Sequence, residues 1–69
     1  MVEVFKTNVQ NICQAKELEV ILLEFFPGNK INFDLDDCDK ILRIEGENLM
    51  TMKVMMLVKE YGFVCSLLE

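Results

Sequence analysis

The hydrophobic pattern of this chain takes a period of two or of 3.6 residues over six successive segments, in the order strand, helix, strand, strand, helix, strand. That order leaves few ways to fold 69 residues. Val2, Val4 and Phe5 open an extended segment that runs to about Asn8. Asn11 is a good helix N-cap, and Gln14 stands three residues on, as in a capping box. Ala15, Leu18, Ile21, Leu22 and Phe25 then recur at helical steps, until Pro27-Gly28 stops the helix. Ile31, Phe33 and Leu35 alternate with Asn32, Asp34 and Asp36, the pattern of a half-buried strand. Asp36-Asp37-Cys38-Asp39 is turn chemistry, and Ile41 to Glu45 returns as the other arm of a hairpin. Gly46-Glu47-Asn48 breaks it, with Asn48 placed to cap a second helix. Val54, Leu57, Val58 and Tyr61 form that helix's inner stripe, Gly62 ends it, and Phe63 to Leu68 reads as a last strand.

The β-α-β-β-α-β order, with right-handed crossovers, predicts an α+β fold of the ferredoxin-like kind. In it, one four-stranded antiparallel sheet carries both helices on one face, with the first and third strands central. Residues 1–69 form a single domain, small enough that every core side chain matters. Leu18, Leu22, Phe25, Phe33, Val54, Leu57 and Val58 are the expected core.

Charge and composition exclude several function classes. Seven basic residues stand against twelve acidic ones, a net of −5, and no two basic residues are adjacent. Nucleic-acid affinity comes mainly from phosphate neutralisation, so neither DNA or RNA nor an anionic membrane is an expected partner. The absence of histidine and the single serine remove the usual base and nucleophile pairings, and no enzyme is expected. Three widely spaced cysteines, Cys13, Cys38 and Cys65, do not resemble a disulfide framework. With no basic-then-apolar leader, the expected location is the cytoplasm.

Taken in order, several short segments resemble the heavy-metal-associated domain family, the copper-chaperone-like modules also found in metal-pumping ATPases. Phe5-Lys6-Thr7-Asn8-Val9 is similar to the strand that leads into the family's metal loop. Ala15, Leu18 and Leu22 match the apolar spacing after it, and Pro27-Gly28 matches the helix stop. Asp39-Lys40-Ile41-Leu42-Arg43-Ile44-Glu45-Gly46 resembles the third strand and its turn, and Tyr61-Gly62-Phe63 the close of the second helix. The family holds copper(I) or similar ions between two cysteines three residues apart, because soft ions favour thiolates. Aligned on Val9, Leu18 and Leu22, those two positions fall on Asn11 and Gln14, whose amides are hard, weak ligands. Shifting by one residue would bring Cys13 and Gln10 to the ligand positions, but the stripe would then bury Glu17 with Ile21, so the first register is preferred. The resemblance thus implies a member with a lost clamp, with Cys13 the only residual ligand near the loop.

Some apolar residues are left over once each helix faces the sheet: Val20 and Leu23 on the first, Met52 and Met56 on the second. Together they form a candidate interaction surface. The leading expectation is a non-catalytic interaction or self-association domain that needs no cofactor, with a protein partner or a second copy as its target. One alternative is soft-metal binding or transfer, with copper(I) held by Cys13 and a thiol from a second protomer or a partner. Another is a small-molecule regulatory module, which no residue pattern specifically supports. A cation site at Asp34, Asp36, Asp37 and Asp39 lacks the glycine and terminal glutamate of a calcium loop, and a hairpin turn explains those residues.

Overall fold

The computed structural model describes residues 1–47 and 49–68. Strand β1 (Val2–Thr7) leads to helix α1 (Ile12–Phe25); the hairpin β2 (Lys30–Asp34) and β3 (Ile41–Glu45) follows, then helix α2 (Thr51–Glu60) and the short strand β4 (Cys65–Leu67). The strands form one antiparallel sheet in the order β2-β3-β1-β4, so β1 and β3 are central, as the sequence predicts.

Register decides which side chains enter the core. Phe5 pairs with Leu42, which pairs with Phe33, and Glu3 lies opposite Ile44, which lies opposite Ile31. Side chains alternate along a strand, so Phe5, Leu42 and Ile44 share one face. Leu22 of α1 and Val54, Leu57 and Val58 of α2 pack with them in one buried cluster, which puts both helices on that face. A smaller cluster of Val9, Ala15 and Leu18, flanked by Phe33, Leu35 and Phe63, closes the end of the core near the start of α1. The opposite face is bare and mixed in charge, with Lys30 across from Glu45 and Asn32 across from Arg43.

The ends of α2 differ from expectation. The helix begins at Thr51, and Met50 at the N-cap position offers no side-chain bond; the cap expected at Asn48 lies outside the described residues. Its C-terminus is a Schellman turn, in which Gly62 N–H donates to Lys59 O at 3.0 Å and Phe63 N–H to Val58 O at 3.2 Å. Gly62 has φ of +91°, a conformation that side chains disfavour, which explains a glycine there. Tyr61 falls at this turn rather than within the helix and is exposed, so it leaves the inner stripe. The last strand, expected over Phe63 to Leu68, is confined to Cys65–Leu67.

Phe25 corrects the expected core more sharply: it is 59% exposed, while Phe26 is half-buried against the main cluster. At about 100° per residue, Phe26 lies about 40° from the line of Leu22 and Phe25 about 60° on the other side. The helix ends there, with Phe26 N–H donating to Leu22 O at 2.8 Å, so only one of the two rings can turn inward. Phe33 is half-buried rather than fully enclosed, and Leu49, before α2, joins the core instead.

Candidate functional site

The loop between β1 and α1 is where the family resemblance places a metal clamp. Val9 is fully buried and holds the loop to the core, and Asn8 ties it to the start of β4 through two bonds. Asn8 N–H donates to Val64 O at 3.2 Å, and Val64 N–H donates to Asn8 Oδ1 at 2.8 Å. Ala15, Leu18 and Leu22 are buried and Glu17 is exposed, so the buried stripe of α1 runs through Leu18 and Leu22.

Asn11 and Gln14, where the resemblance would put ligands, both bond to the backbone at the helix start. Asn11 is extended, and its Oδ1 accepts from Gln14 N–H at 3.0 Å. Gln14 Oε1 accepts from Gln10 N–H at 2.8 Å, one residue earlier than the reach-back of a standard capping box. The first bond satisfies an amide donor that a helix N-terminus leaves without an intrahelical partner, and the second ties down the residue before the cap. Their oxygens are hard donors already engaged with N–H groups, so this donor set does not fit a copper(I) clamp. Cys13 lies between them in the first turn, exposed and free.

The other two cysteines have different surroundings. Cys38 is exposed in the hairpin turn, where Asp39 N–H donates to Asp37 Oδ1 at 2.9 Å. One ligand atom each from Asp37, Cys38 and Asp39 lies within 4.8 Å of the others, but Asp37 serves the turn and Asp39 pairs with Lys6 at 3.6 Å. Cys65 is half-buried in β4, and burial pushes its thiol up to about 11, so it stays a protonated, unreactive thiol at neutral pH.

The four residues of the candidate interaction surface are all exposed: Val20 at 65%, Leu23 at 41%, Met52 at 70% and Met56 at 67%. They do not converge on one depression. A groove of about 470 Å³ runs between the C-terminus of α1 and the outer side of α2, and of the four only Met56 lines it. Its other apolar walls are Phe25, Phe26, Met50 and Leu57. Lys53 and Glu60 line it too, seven residues apart on α2. Helical periodicity finds Met56 but misses the Phe25–Phe26 wall, which exists because Pro27 ends α1 directly after two successive aromatic rings. A second depression of about 400 Å³, on the opposite flank of Met56, is lined by Met55, Lys59, Val64 and Cys65.

Comparison with protein-family models, with curated proteins and with solved structures finds no match for this chain. No helix among the described residues is long and apolar enough to cross a membrane.

Proposed function

We propose that this chain is a non-catalytic, cytoplasmic interaction domain of the heavy-metal-associated type, with its metal clamp lost and its outer helical surface used for protein contact or self-association. The observation that carries the reading is the apolar groove beside α2, with Phe25, Met50 and Met56 all largely exposed around it. Contiguous exposed apolar side chains on a small domain are costly in water, and covering them is favourable at about 25 cal/mol per Å². Methionines suit such a surface because their flexible thioethers adapt to a partner's shape.

Light scattering over a concentration series tests the reading on the wild type and on Met52→Lys/Met56→Lys. The expected result is a concentration-dependent rise in mass that the double variant abolishes. A strictly monomeric wild type removes self-association and leaves a different protein as the partner. A dimer that survives both lysines moves the contact to the sheet edges.

The exposed free thiol of Cys13 beside the clamp positions favours one second reading, in which two protomers, or a protomer and a partner, share copper(I). Titration with copper(I) against a competing chelator separates the two. The leading reading expects no stoichiometric binding by the monomer. Binding that occurs only with dimer formation, and is lost in Cys13→Ser, would establish the second. Asn11→Cys/Gln14→Cys should restore a clamp, because it returns two thiolates three residues apart to the loop.

A further inference from the structure

We propose that the outer face of α2 docks on α2 of a second copy, antiparallel about a two-fold axis, so that Lys53 of each copy pairs with Glu60 of the other. This rests on the interaction reading above and names its partner.

The arrangement of charge about the groove carries the inference. Lys53 and Glu60 both line it, with Met56 between them. Seven residues are two helical turns, about 10.5 Å along the axis and within about 20° of one line on the helix surface. Their midpoint falls between Met56 and Leu57. A two-fold axis passing beside the helix at that height carries the Lys53 position onto the Glu60 position of the other copy. Opposite charges then meet twice, at equal distances on either side of an apolar centre. A two-fold interface uses the same patch on both copies and must be complementary to itself, and this patch is. A parallel arrangement would set Lys53 against Lys53 and Glu60 against Glu60.

Neither charge has an ion-pair partner among the described residues. Among the described residues the ion pair is Lys6 with Asp39, on another part of the molecule, and Lys53 and Glu60 are both exposed. At the centre, Met56 of one copy meets Met56 of the other, and Phe25 and Met50 add an apolar margin. A one-signed partner, whether a basic or an acidic segment, would satisfy one of the two charges and oppose the other. A second copy satisfies both. Ten residues of helix are about 15 Å long, so the contact belongs with small, weak interfaces and needs high concentration to form.

Sedimentation of the full chain over a concentration series tests this, using wild type, Lys53→Glu, Glu60→Lys and an equimolar mixture of the two variants. Circular dichroism of each variant checks that it remains folded. The wild type should associate weakly, and more weakly as salt is raised, because exposed ion pairs are screened. Each variant alone turns both attractions into repulsions, raising the dissociation constant about tenfold or more. The mixture should recover association, since one variant then carries acidic groups at both positions along the groove and the other basic groups at both. If the wild type associates but the single changes have no effect, or the mixture fails to recover, the antiparallel pairing is overturned while the interaction reading stands. A wild type that stays monomeric overturns this pairing and self-association together, leaving contact with a different protein.

Discussion

At the level of individual residues, Thr7 is the polar side chain that makes two hydrogen bonds among those described. Its side chain is buried at the end of β1, where Oγ1 donates to Lys40 O at 2.6 Å and accepts from the buried N–H of Val9 at 3.2 Å. One hydroxyl thus joins the turn before β3 to the loop before α1. It also helps hold Lys40 at φ of +49°, a strained value for a non-glycine residue, which Lys40 Nζ further secures by donating to Leu35 O at 3.0 Å. Thr7→Val keeps the shape and leaves a buried N–H unpaired, so it should cost about 1–3 kcal/mol, read as a lower denaturation midpoint in urea. The cysteines give a second residue-scale prediction. At neutral pH, alkylation followed by mass spectrometry should label Cys13 and Cys38 quickly and Cys65 slowly. Cys65 also bears on stability at alkaline pH. The unfolded chain releases this proton near the ordinary value of 9.0, but the folded chain holds it until about 11. The unfolded state therefore binds fewer protons in that window, and stability is lost as pH rises through it. Cys65→Ala should flatten this part of the pH–stability profile, and an unchanged slope would assign it to other groups.

At the scale of elements, the two helices show where periodicity reads well and where it fails. The α1 stripe of Ala15, Leu18 and Leu22 was legible because these residues recur at helical steps, with Lys16, Glu17 and Glu19 between them. Leu22→Ala should cost about 2–5 kcal/mol, the usual loss for a large-to-small change in a packed core. Phe25→Ala, though it removes a larger side chain, should leave stability within about 0.5 kcal/mol, because Phe25 lies mostly in water. Equal losses in the two variants, measured by chemical denaturation, would mean that Phe25 is enclosed after all. Tyr61 fails for the same reason as Phe25: both stand where a helix is ending, and the chain's change of direction, not the 3.6-residue period, sets where the side chain goes. Asn11 and Gln14 illustrate the converse. Their capping chemistry is local, involving partners no more than four residues away, so residue type and spacing made most of it readable.

At the scale of the whole molecule, the chain has a radius of gyration of 10.6 Å, close to the roughly 11 Å expected of a well-packed domain of its length. Its shortest dimension, 18 Å, is that of one sheet with one layer of helices. The sequence by itself determined the order of elements, the two-layer plan and most of the buried stripe, because hydrophobic period, turn residues and capping groups act over a few neighbours. It also showed that amide side chains, Asn11 and Gln14, stand at the start of the first helix. Only the tertiary structure decided that Val9 and Leu49 belong to the core, that Thr7 bridges two loops, and that Phe25 and Phe26 face α2 across a groove with Lys53 and Glu60 along it. Such features join distant parts of the chain, as Thr7 and Lys40 do across 33 positions, and their contacts arise from how helices and loops seat on the sheet. No local pattern encodes that seating: it is fixed by the summed packing of side chains that meet only after the chain has folded.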